Sequence, residues 1–256
     1  MNKNAFESTL LSLLPALLAL LTGCAEVPYR NASDPWEPVN RPIYDLNDAI
    51  DRLVLKPVSD AYIRVTSEPV RASVSNFYDN AAYPETVLNN LLQGKAVAAA
   101  SDTGRFVVNT TLGIGGLFDV AATMGLPKHE EDFGQTLGVW GSPPGPYMVL
   151  PVAGPYTVRD TLSIPVALVT NALFYINTGP AAIPLTVLAA VDLRSRASNA
   201  IRFRNAAALD PYLFTREAYL QHREFLVHDG NPPLPDFPDF QDFEEDFPPL
   251  DGAAPR

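Results

Sequence analysis

The chain has 256 residues, 47% of them hydrophobic and 18% charged, which is enough for one medium domain with a sizeable core. The formal net charge of −11 argues against a nucleic-acid partner. Most of the excess acid lies at the end of the chain, because residues 229–256 hold eight carboxylates and one base. Residues 24–228 are therefore nearly neutral, and residues 229–256 form an acidic tail.

The N-terminal residues carry an export signal. The apolar run over residues 10–21 includes Pro15 and is shorter than the roughly 20 residues of a transmembrane helix. Residues 1–23 are therefore predicted to be a signal peptide. The sequence LTGC at residues 21–24 resembles the bacterial lipobox, which predicts cleavage before Cys24 and acylation of Cys24.

Cys24 is the only cysteine, so it forms no internal disulfide. The alternative is an ordinary signal peptide that ends near Gly23 and leaves a free thiol. Ala25 rather than Asp follows the cysteine, which by resemblance to enterobacterial lipoproteins implies sorting to the outer membrane. Residues 24–33 are then a lipid-anchored polar tether.

Helices are predicted throughout the next part of the chain. An amphipathic helix follows Asn40, because apolar residues recur there at helical spacing, and it should stop before Pro57. Further helices are predicted to begin at Pro57, Pro69 and Pro84, the last ending at Gly94. No stretch alternates convincingly with a period of two, so no strand is predicted.

A helix is also predicted over residues 95–112, followed by a glycine-rich run at residues 113–116. This run lacks the third glycine of a dinucleotide-binding loop and the Gly-Lys-Ser/Thr of a phosphate loop. It is therefore interpreted as a flexible apolar bend that leads into a short helix over residues 119–125.

Residues 133–191 form a neutral segment whose only charged side chains belong to Arg159 and Asp160. Glycines and prolines interrupt residues 133–158, whereas residues 161–191 predict two short helices that are apolar on every face, with breaks at Gly179-Pro180 and at Pro184. Such helices are buried in protein or in lipid. The first, over residues 163–176, would be about 21 Å long, too short to span upright the roughly 30 Å of a bilayer interior.

An unpaired ion in such an apolar setting is costly, so Arg159 and Asp160 should either pair or face a wet passage. One interpretation is a buried ion pair that holds the segment in place. The other is a direct contact with a lipid headgroup.

Residues 192–208 predict a helix with four arginines, Arg194, Arg196, Arg202 and Arg204. They suit a face that meets lipid phosphates, or equally a solvated basic face. A last amphipathic helix is predicted from Asp210. The tail that follows sets phenylalanines among acids and prolines, which predicts a disordered tether; docking of these phenylalanines on a partner is the alternative.

No catalytic or metal site is predicted. His129, His222 and His228 do not form a metal-binding motif, and no candidate nucleophile has a nearby base. We therefore expect no enzyme activity, no bound metal and no cofactor.

Several stretches of the chain, in order, resemble the VacJ/MlaA outer-membrane lipoproteins. They are DPWEPVNR at 34–41, SNF at 75–77, NLLQG at 90–94, RFVVNTTLG at 105–113, GGLFDVA at 115–121, FGQTLG at 133–138, GPY at 145–147, LP at 150–151, RD at 159–160 and the helix predicted over 210–225. The resemblance covers residues 34–228 and leaves out the tail. Trp36 and Pro38 differ from the most familiar members of the family.

The resemblance implies an all-α fold: a single ring-like domain of amphipathic and short apolar helices that lies in the inner leaflet of the outer membrane around a hydrophilic channel. It implies transport of phospholipid away from the outer leaflet, which maintains lipid asymmetry. The implied partners are trimeric porins, a periplasmic lipid carrier and an inner-membrane ATP-driven ABC-type complex. A structural envelope lipoprotein that scaffolds porins is the alternative.

The family motifs also suggest residues for the channel. These candidates are Asn40, Arg41, Asn47, Asn76, Phe77, Asp119, Arg159 and Asp160. The candidates for contact with the lipid headgroup are the four arginines of residues 192–208.

Overall fold

The computed structural model describes residues 34–176 and 182–233. Cys24, the predicted signal peptide and tether, and the tail from residue 234 lie outside the described residues, and the predicted domain boundaries stay predictions. Helices dominate the described residues, which form a ring-like domain with one two-stranded hairpin. The predicted all-α fold class is thus confirmed.

The first helices follow one another without a break: α1 (Glu37–Ile50), a π-helical turn (Asp51–Leu55) and α2 (Lys56–Val65). The predicted helix end before Pro57 is wrong. In the π turn the amide of Lys56 donates to the carbonyl of Asp51, and Pro57 then lies in the first turn of α2. Because the helix is continuous here, Pro57 removes one hydrogen bond to the preceding turn, and the π-helical turn lies directly before it.

The longest helix, α3 (Glu68–Leu92), also passes through a proline. The predicted helix start at Pro84 is wrong, since the helix continues on both sides of it. Residues Ala81, Tyr83 and Thr86 around this proline are buried, and α4 (Ala96–Thr111) packs along α3. Tertiary packing therefore keeps α3 helical across Pro84, in spite of the lost hydrogen bond.

The neutral segment contains strands that the sequence did not predict. After the short helices α5 (Val120–Thr123) and α6 (Phe133–Val139), β1 (Tyr147–Leu150) pairs antiparallel with β2 (Gly154–Thr157), and Leu150 lies opposite Gly154. Each strand has only four residues. A run this short is too brief to show a period of two, and the absence of strands was a wrong prediction.

The remaining elements are all helical. They are α7 (Val158–Thr161), α8 (Ser163–Thr170), α9 (Ala172–Ile176), α10 (Ala182–Arg196), α11 (Ser198–Ala207) and α12 (Pro211–Val227).

Two helices predicted as single units are divided. The helix predicted over residues 163–176 breaks at Asn171, where ψ is 124° and the side chain accepts a hydrogen bond from the amide of Leu173. The helix predicted over residues 192–208 is divided between α10 and α11. The predicted break at Pro184 is wrong, because Pro184 lies in the first turn of α10. Within the residues that the structure describes, no helix is both long and apolar enough to span a bilayer.

Contacts between elements close a circuit. Helix α1 packs against β1, β2 against α12, α12 against α11, α11 against α10, and α10 against α2 and the π turn. Because the last contact returns to the segment that continues α1, these elements surround a common centre. This closed circuit is the ring of the fold.

Burial in this ring is the reverse of that in a typical soluble domain. Among the described residues, 19 polar or charged side chains are buried, against eight apolar or aromatic ones. Large apolar side chains lie on the surface instead, including Leu53 at 78% exposure, Val97 at 86% and Ile183 at 76%. Soluble domains bury most of their large apolar side chains, whereas exposed ones in this number are typical of a surface that contacts lipid or protein.

Candidate functional site

A charged cavity of about 720 Å³ lies between two walls of the ring. Helix α1, the π turn, α2 and α3 form one wall, and α10 and α11 form the other. Seven cationic and four acidic side chains line the cavity, together with serines and asparagines. The charged ones are Asp48, Asp51, Arg52, Lys56, Asp60, Glu68, Arg71, Arg194, Arg196, Arg202 and Arg204.

Ion pairs link the two walls. Arg194 of α10 forms a bidentate pair with Asp51 of the π turn, with 3.0 Å between Nη2 and Oδ2. Arg204 of α11 binds Asp48 of α1 at 3.1 Å. The division between α10 and α11 therefore positions arginines from both helices on the same side of the cavity.

A second polar cavity of about 340 Å³ adjoins the first through Arg196, which lines both. The carboxylate of Asp79 accepts from Arg196 at 2.9 Å and from Lys128 at 2.8 Å. Arg196 also pairs at 3.2 Å with Asp192, which accepts from Ser75 as well. Asp79 thus joins α3, α10 and the loop before α6 where the two cavities meet.

Glu85 also lines the second cavity. Burial, and then the negative charge of Asp132, raises the pKa of Glu85 to about 7. Its Oε1 atom is buried and has no hydrogen-bond partner among the described residues. The side chain therefore changes charge near neutral pH.

The channel candidates Asn40 and Asn47 hold the hairpin. The amide of Asn40 donates to the carbonyl of Tyr147 at 3.1 Å and accepts from the amide of Val149 at 2.9 Å. Asn47 repeats this pattern with Leu150 and Val152. The two side chains thus bind β1 and the turn that follows it, and neither lines the charged cavity.

Arg41 lies on the outside of the same helix. It pairs with Glu37 at 2.7 Å and with Asp210 at 2.8 Å, and its guanidinium stacks over the ring of Tyr212. These contacts tie α1 to the start of α12.

Asp119 lies in a buried network around Arg105. Both its oxygens accept from Arg105 Nη2 at 2.7 Å, and Oδ1 also accepts from Asn109 and from the amide of Ala122. Asn76 donates weakly to the carbonyl of Leu117 at 3.5 Å. A small cavity of about 30 Å³ is lined by both Asn76 and Asp119, and also by Asp79.

Phe77, the remaining candidate on α3, is half-buried and packs edge to face against Tyr78. It lines neither polar cavity.

Arg159 and Asp160 form a buried ion pair, with 3.0 Å between Nε and Oδ1. Asp160 also accepts from Arg223 at 3.0 Å and from Tyr219 at 2.8 Å, and Arg223 binds Asp132. Burial alone would raise the pKa of Asp132, but hydrogen bonds and charge from Arg223 outweigh this effect and hold it below its usual value.

Sequence reasoning missed Asp132 and Arg223 as partners of this pair. The family motif FGQTLG at 133–138 contained a signal for the cluster, because its glycines lie against it. A Cβ atom on Gly134 would be 2.6 Å from Asp160 Oδ1, and one on Gly138 would be 2.9 Å from Arg159 Nη1.

All four arginines predicted to contact a headgroup line the charged cavity. None of the eight channel candidates does, although Asn76 and Asp119 line the 30 Å³ cavity, which shares Asp79 with the 340 Å³ cavity. In the described part of the chain, no three His, Cys, Asp or Glu side chains are placed to hold a metal ion.

An apolar cavity of about 970 Å³ lies between α8, α9 and α10 and is lined in part by Ile164, Leu168, Phe174 and Leu185. Tyr78 of α3 also lines it and donates to the carbonyl of Leu185 at 2.7 Å. Two adjacent residues of α3 thus face different cavities: Tyr78 lines the apolar one and Asp79 lines the polar one of 340 Å³.

Comparisons with known proteins agree with this architecture. The sequence profile of a family described as MlaA lipoprotein matches residues 32–226. The intermembrane phospholipid transport system lipoprotein MlaA of Escherichia coli is 33% identical over 227 residues, which cover 86% of this chain and 89% of that protein. Its counterpart in Haemophilus influenzae is 34% identical, covering 86% and 91%.

An uncharacterized protein of Rickettsia bellii is 38% identical over 211 residues, covering 81% of this chain and 80% of that protein. A solved structure described as the structural basis for maintenance of bacterial outer membrane lipid asymmetry superposes with a TM-score of 0.67 at 33% identity. It covers 76% of this chain and 99% of that one. The profile match and these relatives show that the chain belongs to the MlaA lipoprotein family.

Proposed function

We propose that this protein is an outer-membrane lipoprotein that forms a phospholipid channel and removes mislocalised phospholipid from the outer leaflet. The observation that carries the proposal is a charged cavity inside a ring whose outer surface is apolar. The names of the relatives support phospholipid as the cargo.

The energetic reason for such an arrangement lies in the two ends of a phospholipid. Exposing two acyl chains of about 16 carbons to water costs roughly 25 kcal/mol at about 0.8 kcal/mol per methylene. A polar headgroup is in turn costly to transfer through hydrocarbon. A passage that keeps the headgroup among polar side chains and the tails among apolar ones lowers both costs.

The proposed passage runs from the 720 Å³ cavity past Arg196 and Asp79 into the 340 Å³ cavity. The apolar cavity on the other side of Tyr78 offers a place for acyl chains. Arg196 and Asp79, with Lys128, form the constriction of this path. Arg194, Arg202 and Arg204 line its wider part.

Acylation of Cys24 would tether the domain on the periplasmic side of the outer membrane, with the apolar outer surface embedded in the inner leaflet. The proposal includes handover of lipid to a soluble periplasmic carrier, which works with an inner-membrane ABC-type complex. It also places the protein beside trimeric porins. It requires no enzyme activity of the chain itself.

The test is a plug in the cavity. Ala72 is exposed, lines the 720 Å³ cavity and takes part in no ion pair, so Ala72→Trp should fill the cavity without disturbing its charges. Ala61→Trp, at an exposed position of α2 outside the cavity lining, is the matched control.

Each variant replaces the wild-type protein in cells that otherwise lack it, and phospholipid in the outer leaflet is measured. Cells with Ala72→Trp should accumulate outer-leaflet phospholipid, as cells without the protein do. Cells with Ala61→Trp should not. A plugged protein that restores asymmetry would favour the alternative, a lipoprotein that only scaffolds porins, because a scaffold needs no open cavity.

A further inference from the structure

We propose that the charged cavity selects a zwitterionic phosphodiester headgroup of the phosphoethanolamine type. Arg71 and Arg202 would bind the phosphate, and Glu68 would bind the ammonium. This inference rests on the proposed function and names the class of lipid that the cavity takes.

Pairing among the lining side chains singles out these three residues. Three of the four lining carboxylates already bind lining cations: Asp48 binds Arg52 and Arg204, Asp60 binds Lys56, and Asp51 binds Arg194. Glu68 is the fourth, and it has no cationic partner among the described residues. Arg196 binds Asp79 and Asp192. Among the cations that line the cavity, Arg71 and Arg202 alone have no carboxylate partner in the described part of the chain.

Arg71 is held in place by the end of a neighbouring helix. Its Nη1 donates to the carbonyl of Ile63 at 3.2 Å and to the carbonyl of Thr66, where α2 ends. A guanidinium has five N–H donors, so Nε and Nη2 of Arg71 stay available. Holding the side chain in this way reduces the entropy that it loses when a ligand binds.

Glu68 lies one helical turn before Arg71 on α3, so their Cβ atoms are about 5–6 Å apart on the same face. The two side chains nevertheless form no ion pair within 4.0 Å. An open carboxylate beside a fixed guanidinium suits a ligand that carries both charges.

Arg202 approaches from the opposite wall. It is exposed on α11, and its guanidinium binds the side-chain oxygen of Asn199. Arginines from two walls can hold a phosphate from both sides, since the fork of each guanidinium matches two phosphate oxygens. Arg71 and Arg202 line the same cavity from its two walls, which is the arrangement that the proposed phosphate site needs.

Glu68 decides between headgroup classes. A primary ammonium next to the phosphate gains a charge-assisted hydrogen bond from this carboxylate, whereas a glycerol headgroup lacks the positive charge. A headgroup with a second negative charge would be repelled. The cavity should therefore prefer phosphoethanolamine over phosphoglycerol.

The test uses the full lipoprotein purified in detergent and soluble probes without tails. Glycerophosphoethanolamine, glycerophosphoglycerol and inorganic phosphate are titrated by calorimetry, and dihexanoyl phosphatidylethanolamine and phosphatidylglycerol follow in the same way. The wild-type protein should bind each ethanolamine form about three- to fivefold more tightly than its glycerol counterpart, as expected for one solvent-accessible ion pair. The dihexanoyl lipids should bind more tightly than the tail-free headgroups, because their short tails add apolar contact.

Glu68→Gln should abolish the preference while keeping the affinity for the glycerol forms, and Arg202→Gln should weaken both classes. Arg64→Gln is the control, because Arg64 is an exposed arginine of α2 outside the cavity lining. Equal affinity for the two classes in the wild-type protein, or a preference that survives Glu68→Gln, would overturn the inference. Two further outcomes would overturn the inference: inorganic phosphate that binds as tightly as the zwitterion, and tail-free headgroups that bind as tightly as the dihexanoyl lipids. In either case the natural ligand would be a free phosphate compound.

These results are separable from the proposed function. If Ala72→Trp abolishes transport but no preference exists, only the headgroup assignment fails. If the preference follows Glu68 but deletion leaves outer-leaflet phospholipid unchanged, the site stands and the transport proposal fails.

Discussion

At the scale of single residues, the buried ion cluster depends most on Arg223. This guanidinium binds both Asp132 and Asp160, whereas Arg159 binds Asp160 alone among the carboxylates of the cluster. Asp160 also accepts a hydrogen bond from the hydroxyl of Tyr219 at 2.8 Å. Of the two interpretations of Arg159 and Asp160, the buried ion pair describes the contacts that the structure contains.

We expect Arg223→Ala to destabilise the fold by about 3–5 kcal/mol, because it removes a cationic partner from the buried Asp160 and from the partly buried Asp132. Arg159→Ala should cost only about 1–2 kcal/mol, since Arg223 continues to bind Asp160. Denaturant unfolding in detergent, followed by circular dichroism, measures both losses. Arg64→Ala at an exposed site is the control, and equal losses for Arg159 and Arg223 would contradict this ranking.

Glu85 should make stability depend on pH. Its pKa in the folded protein is about 7 and lies above the usual value of 4.5, so the folded state binds this proton more tightly than the unfolded state. The stabilisation is complete below about pH 4.5 and is lost as the pH rises through 7. Since the side chain is partly exposed, we expect a loss of only about 1–2 kcal/mol.

Glu85→Gln mimics the protonated form and should remove this part of the pH dependence. Melting temperatures of the wild-type protein and the variant, compared at pH 5 and pH 8, provide the measurement. The variant should match the wild type at pH 5 and be more stable at pH 8. A variant with the full pH slope of the wild type would show that Glu85 is not the group responsible.

At the scale of elements, two asparagine side chains act as backbone. The edge of a two-stranded hairpin leaves amides and carbonyls unpaired, and Asn40 and Asn47 bind such groups in β1 and in the turn after it. An amide side chain offers one acceptor and two donors, so it can replace a peptide group. The hairpin is thereby joined to α1 through β1, while β2 packs against α12.

We expect Asn40→Ala to destabilise the protein by about 2–4 kcal/mol, because it leaves the carbonyl of Tyr147 and the amide of Val149 buried without partners. The Val149 amide should also exchange its hydrogen faster in a hydrogen-exchange experiment. Asn47→Ala is the matched comparison and should cost less, since it binds at the more exposed end of the hairpin. Unchanged protection of Val149 in the Asn40 variant would argue against this role.

At the scale of the whole molecule, the burial pattern predicts how the protein behaves without its lipid. The large apolar side chains that a soluble domain would bury lie on the outer surface of the ring. Short helices such as α8 and α9 carry part of this surface, and neither is long enough to cross a bilayer.

Cys24→Ala, exported with the signal peptide of a soluble protein, should therefore stay with the membrane fraction after carbonate extraction. The reason is that an exposed apolar surface of this size is more stable against hydrocarbon than in water. The control is the wild-type lipoprotein, and mass spectrometry of its N-terminus tests acylation of Cys24. Full release of a monomeric variant without detergent would contradict embedding of the ring.

The sequence alone determined the class of structure. Low charge over residues 133–191 and helices apolar on every face pointed to a lipid or buried setting, because charge is excluded from such places whatever the fold. Helical periodicity predicted most of the helices. The four arginines of residues 192–208 lie close together along the chain and line one cavity, and their contact with a lipid headgroup stays a prediction.

Only the tertiary structure decided which polar side chains face the cavity and which hold the ring together. The family resemblance suggested Asn40 and Asp160 as channel residues, yet Asn40 binds the amide of Val149, 109 positions away, and Asp160 binds Arg223, 63 positions away. Local periodicity contains no information about such contacts. The continuation of α3 through Pro84 has the same cause: packing against α4 outweighs a local preference that costs about 3 kcal/mol.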